Sequence, residues 1–269
     1  MSHHPHRRKS AHKPLRFIAA GDGHGDMADP DVLGRNGALW EFIKDFRPDV
    51  RVCLGDAMDV RSLRRGVGND AESAESLNGD FDAYSSFMGR FQPDVYLWGN
   101  HEARIDHLMS SSGSALVRDY CHDLKEKVNR VARKAGAKTI LDYHAERGVY
   151  RLGPVAMVHG YAHSERATAE QGKHYADRGG ALIHGHTHTL AQVNLTKHGG
   201  GAAFSAGCMC QIDAMSYAAG RLATSRWGSG WACGWVDMDT NDYKVMLVHR
   251  IGKNRWVWPK DIKVWESPK

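Results

Sequence analysis

At 269 residues and 42% hydrophobic composition, the chain can bury one large core, and no apolar run approaches the roughly 20 residues a membrane helix needs. The formal charge of +5 misleads, because residues 1–16 hold Arg7, Arg8, Lys9, Lys13 and Arg16 and no acid, which leaves 31 basic against 31 acidic residues in the remainder. A neutral body excludes the broad basic surface that would argue for nucleic acid on its own. Residues 1–15 read as a basic, His-rich tail and 16–269 as a single domain. Five scattered cysteines, at 53, 121, 208, 210 and 233, make no disulfide framework and fit a reducing compartment. With no apolar core behind the basic N-terminus, a cytoplasmic location and no membrane partner are expected.

Taken in order, Arg16–Ala20 is a short buried strand closed by the turn Gly21-Asp22-Gly23-His24-Gly25. Leu39, Ile43 and Phe46 recur at helical spacing with Trp40 alongside, and the helix ends before Pro48. Val50–Leu54 is the second strand, so strand, helix and strand predict parallel pairing with a right-handed crossover. Residues 60–80 are polar and read as an exposed loop over the site. A helix ending near Phe91 leads to the third strand, Asp94–Trp98. Residues 103–135 are predicted helical, with Leu116, Val117, Cys121 and Leu124 as the buried face. Strands follow at 139–143, 149–152 and 155–158, then a polar helix from about Ser164 and a strand opening at Ala181. After His188 the pattern turns to β, at 190–195, 202–205, 231–238 and 243–251. The expected fold class is α/β, with two sheets face to face and helices outside.

The chemistry collects at strand ends. Asp22-Gly23-His24, Gly55-Asp56, Gly99-Asn100-His101-Glu102, His159-Gly160 and His184-Gly185-His186-Thr187-His188 each follow an apolar run. Open α/β sheets bind their ligands at this edge. Two aspartates, one asparagine and four histidines, with no thiolate, suit manganese, iron or zinc better than magnesium or calcium. The inventory is too large for one ion and fits two, roughly 3.5–4 Å apart, with one carboxylate shared.

These five motifs in this order resemble the signature of the calcineurin-like metallophosphoesterases. The resemblance implies a four-layer αββα fold and a binuclear centre of two divalent metal ions, with manganese preferred and iron or zinc as alternatives. Asp22, His24 and His188 would hold the first metal, Asn100, His159 and His186 the second, and Asp56 would bridge. A hydroxide held between the metals would attack phosphorus in line, with His101 assisting the leaving group. The stretches Gly-Asn-His-Glu-Ala-Arg (99–104), Gly207-Cys208-Met209-Cys210 and Trp227–Trp231 look most like small phage-type phosphoesterases. A phosphodiesterase is therefore expected, with DNA or a nucleotide-like phosphoester as substrate and the nuclease class in view. The alternatives are a phosphomonoesterase, including a protein phosphatase, and a non-catalytic interaction module on the same scaffold.

Substrate groups are sought in Arg61, Arg64, Arg65 and Arg104, which could fork onto phosphate oxygens, and in His163 and His174 beyond the His159 loop. Trp227, Trp231 and Trp235 could stack bases, although core and lid packing in a β-rich segment is the favoured reading. His184 reads as a strand-end residue, Asp26 and Asp59 as surface or supporting carboxylates, Glu102 as a charge at a helix N-terminus, and Cys208 and Cys210 as packing residues.

Overall fold

The computed structural model describes residues 13–64, 77–214, 222–252 and 255–258. Among the described residues, twelve strands form two mixed sheets. In the larger sheet β1 (Leu15–Ala20), β2 (Val50–Cys53), β3 (Val95–Leu97) and β4 (Thr139–Leu141) run parallel. On the other side of β1 the antiparallel strands β10 (Gly230–Val236), β11 (Tyr243–Gly252) and β12 (Arg255–Val257) complete seven strands. The smaller sheet has five, in the order β5 (Tyr150–Leu152), β6 (Val155–Val158), β7 (Ala181–His184), β9 (Ala202–Ala206) and β8 (Leu190–Asn194). Its central β6, β7 and β9 are parallel.

Side-chain alternation explains the layering. Phe17 and Ala19 face the second sheet, whereas Ile18 and Ala20 face helices, so β1 reads as one continuous apolar run. The same split divides Val52 from Cys53, Val95 and Leu97 from Tyr96, and Val155 and Met157 from Ala156 and Val158. Between the sheets the inner faces form one apolar layer. Outside the larger sheet pack α2 (Ala38–Phe46), α3 (Leu77–Phe91) and α5 (Ala115–Ala135); outside the smaller one packs α6 (Ala167–Tyr175). The short α1 (Pro30–Leu33) and α4 (Ala103–Ser111) lie nearer the strand ends. This is the αββα sandwich expected, with two mixed sheets between helices.

Several expectations are corrected. The 103–135 segment is two helices, α4 and α5, broken at Ser112-Gly113-Ser114. Leu116 is 79% exposed, because the buried stripe of α5 runs through Cys121, Leu124, Val128 and Ala132, and that period carries residue 116 outward. Helix α3 begins at Leu77, inside the expected loop, and buries Asp80. Strand β12 was not expected; Arg255-Trp256-Val257 is too short to show a period. The tail to residue 12 and most of the 60–80 loop, including Arg65, lie outside the described residues. No helix among the described residues is long and apolar enough to cross a membrane.

Candidate metal centre

Every candidate ligand sits just past a strand: Asp22 and His24 after β1, Asp56 after β2, Asn100 after β3, His159 after β6, His186 and His188 after β7. The loops are stitched together by backbone. Asp22 N donates to Gly55 O and His24 N to Asp56 O, both at 2.9 Å, which lays the first loop along the second. His186 N donates to both oxygens of Asp22 at 3.0 Å, and His101 N to Asp56 Oδ1 at 2.9 Å. A Cβ on Gly99 would collide with the Asp56 carboxylate, and one on Gly185 with that of Asp22. Those two motif glycines let backbone approach a carboxylate.

The ligand positions carry backbone strain. Nine non-glycine residues among those described have positive φ, and five are Asp22, His24, Asp56, His186 and His188. Left-handed backbone costs about 1–3 kcal/mol per residue and persists where the surroundings enforce it.

Donor atoms converge in two groups that meet at Asp56. On one side His24 Nε2 and His188 Nε2 face each other at 3.1 Å, and His188 Nε2 lies 3.3 Å from Asp22 Oδ1. On the other, His159 Nε2 is 3.0 Å from Asn100 Oδ1 and 3.3 Å from Asp56 Oδ2. The His186 ring stands edge-on to that of His159, centroids 5.1 Å apart. Asp56 Oδ2 is also 4.0 Å from His24 Nε2 and 3.8 Å from His101 Nε2.

Two of the rings are aimed from behind. His159 Nδ1 is 2.8 Å from Leu54 O, and His24 Nδ1 is 3.0 Å from Asp59 Oδ1. A proton on Nδ1 of each ring is taken up by the oxygen behind it, which leaves Nε2 free to turn a lone pair on a bound cation. Lone pairs and carboxylate oxygens crowded in a dry space repel unless protons or a cation stand between them. Divalent metal fits this donor set, and Asp56, His159 and His186 form one group close enough to share an ion.

Electrostatics tells the same story. Burial alone would raise the Asp56 carboxyl, but His159, His101 and His24 hold it well below the usual range. Burial alone would lower His159, yet the Asp56 carboxylate pushes it up to about 9. Burial likewise opposes His188, which its hydrogen bond to Asp22 lifts to about 8. His186, away from a direct carboxylate partner, is driven far down by burial and then by His159.

His101 is buried, with Nδ1 2.7 Å from Asp59 O and 2.9 Å from Asp59 Oδ1. Arg104 donates to Asp59 O at 2.8 Å and lies 3.1 Å from His101 Nε2. It braces His101 and does not line the cavity. Arg61 grips Asp26 through two 2.7 Å bonds and lies 3.4 Å from Asp59, so Asp26 is a surface pairing partner. Arg61 and Arg64 are likewise absent from the cavity wall, which differs from the expected phosphate fork. His163 does line it, its Nε2 3.2 Å from His186 Nε2, whereas His174 lies exposed against Tyr175 on α6. His184 engages Gly185 O and Thr168 Oγ1 with its two nitrogens and faces away from the donors.

The cavity, about 810 Å³, is lined by Asp56, Asn100, His101, His186 and His188 and also by the apolar Trp227, Leu190 and Val193. Of the three tryptophans, Trp227 faces it and rests edge-on against His188, while Trp231 is core.

Three residues carry more than the sequence showed. Glu102 caps nothing: buried, it accepts N–H bonds from Asp56, Ala57, Met58 and Gly99 at 2.7–3.0 Å and the Tyr96 hydroxyl at 3.0 Å. Asp59 joins His24 to His101. Asp80 accepts from Asp59 N at 3.0 Å and Val60 N at 2.7 Å, tying α3 to that loop. Only the place of Glu102 directly after His101, and of Asp59 three past Asp56, could have hinted at them.

No protein-family model matches the chain, and no curated protein matches it. Among solved structures it is similar to a crystal structure of a Vps29 single mutant from Entamoeba histolytica, at 11% identity and a TM-score of 0.35, covering 88% of this chain and 99% of that one. At that superposition the likeness carries nothing about chemistry.

Proposed function

We propose that the protein is a binuclear metal-dependent phosphoesterase that cleaves phosphodiesters. The observation that carries this is the meeting of two donor groups, one buried and one partly exposed, at one carboxylate, Asp56, which lines the cavity. Asp22, His24 and His188 would hold one ion, Asn100, His159 and His186 the other, and Asp56 both. Bound divalent ions, manganese first and iron or zinc as alternatives, would supply Lewis acidity toward phosphoryl oxygens and an acidified water.

The chain's own residues do the rest. Leu54 O and Asp59 fix the ring orientations of His159 and His24. With Nδ1–H of His101 held on Asp59, its Nε2 is the nitrogen that can exchange a proton with the leaving oxygen, and Arg104 is the donor it must release to do so. Trp227 and the aliphatic wall would exclude water and receive an organic substituent. A nucleobase is one such group, since stacking on an aromatic ring contributes about 1–3 kcal/mol.

Diester specificity is favoured over monoester because Arg61 and Arg104 are committed to Asp26 and Asp59, not offered to a terminal phosphate. Arg226, the guanidinium on the described cavity wall, pairs with Glu165 at 2.9 Å. The test is hydrolysis by manganese-loaded protein of a bis-aryl phosphodiester beside an aryl phosphomonoester. Faster diester cleavage is expected, followed by activity on single-stranded or duplex DNA. Monoester preference would move the assignment to a phosphatase, and no turnover with two bound ions would favour an interaction module.

A further inference from the structure

The segment after β9 brings sulphur to the centre. Met209 N donates to Asp22 O at 3.0 Å, Asp29 N donates to Met209 O at 2.9 Å, and residues 28 and 210 form a β-bridge. Cys208-Met209-Cys210 is thus laced to the loop that carries Asp22 and His24, and both thiols are fully buried. The sulphur of Cys210 and one ring nitrogen each of His24 and His188 lie within 4.8 Å of one another. Cys208 Sγ is 3.7 Å from Gly228 O. A second observation points the same way. Nδ1 of His188 is buried and has no hydrogen-bond partner, so this ring, unlike those of His24 and His159, is not fixed from behind by an oxygen.

We propose that Cys210 is a thiolate ligand of the first ion, beside Asp22, His24 and His188. The proposal rests on the metal-centre reading above. On ligation the S–H bond breaks, a sulphur–metal bond forms and the proton leaves to solvent; no electron moves. The two positions then differ in kind. The first, with sulphur, takes a thiophilic ion such as zinc, cobalt or iron, while the second, with only nitrogen and oxygen donors, accepts a harder one. Cys208, whose sulphur faces Gly228 O and falls outside the group of Cys210, His24 and His188, does not ligate.

The metal-stripped full chain is titrated with cobalt(II). A thiolate-to-cobalt charge-transfer band in the near ultraviolet is expected in the wild type and in Cys208→Ser, and its loss in Cys210→Ser at equal bound cobalt. X-ray absorption of the unmutated, zinc-loaded protein needs no variant and should show a sulphur neighbour at about 2.3 Å. Bound cobalt without the band, bound zinc without sulphur, or a band that survives Cys210→Ser overturns the thiolate and leaves the metal centre standing. Failure to bind cobalt or zinc at all overturns the metal centre, and this proposal with it.

Discussion

Asp22, His24 and His188 are buried throughout, whereas on the other side of Asp56 both Asn100 and His186 are partly exposed and open onto the cavity with His163. His24 is held by a carboxylate, Asp59, and His159 by a backbone carbonyl. A carboxylate behind an imidazole raises its basicity as a ligand more than a neutral carbonyl does. The contrast teaches that one half of the centre is the more deeply anchored, reaching the cavity only through His188 and the shared Asp56, and the other is the more open to it. The anchored ion should therefore bind tighter and exchange more slowly.

The largest effect should come from removing what both halves share. Asp56→Asn should lower turnover at least roughly a thousandfold, the upper end for one transition-state contact, and reduce bound metal below two ions per chain. Elemental analysis beside kcat reads both, and wild-type turnover would sink the binuclear reading. His101→Ala should keep two ions and lower kcat by about a hundredfold or more; loss of metal there would make His101 a ligand.

Asp59→Asn separates the halves. It should weaken the first ion by about 10–100-fold, the usual effect of losing the group behind a ligating imidazole, and leave the second unchanged in a stepwise titration. Equal weakening of both would erase the distinction drawn above.

The smallest effect lies behind the anchored half. Burial raises the Asp80 carboxyl to about 6. Because the folded value exceeds the unfolded one, the folded state binds more protons, and stability falls as pH rises from about 4 to about 6. Asp80→Asn should flatten that dependence by on the order of 1 kcal/mol, read by urea unfolding of the metal-free protein across this window. An unchanged slope would place the titration elsewhere.

Much of this was legible because strand-end chemistry is written locally. The unbroken runs at 17–20 and 155–158 announce strands buried on both faces, and the polar residues directly after them mark the edge where they end. Glu102 was misjudged, and the full reach of Asp59 was hidden, for one reason. Their partners are backbone N–H groups or rings brought close only by the crossing of loops from different strands, and no period or spacing records that crossing. Arg61 and Arg104 show the converse: their charge was visible in the sequence, but the carboxylate and carbonyl oxygens they bond were not.

The left-handed backbone at Asp22, His24, Asp56, His186 and His188 has a consequence for which ions can enter. With Glu102 holding the Asp56 loop, and Gly99 and Gly185 packed against the Asp56 and Asp22 carboxylates, these loops have little freedom to widen. A stiff cradle sorts cations by radius: calcium, at about 2.3–2.6 Å from its oxygen ligands, asks for more ligands and more room than zinc at about 2.0–2.2 Å. Discrimination by size would then be set during folding, before any ion arrives.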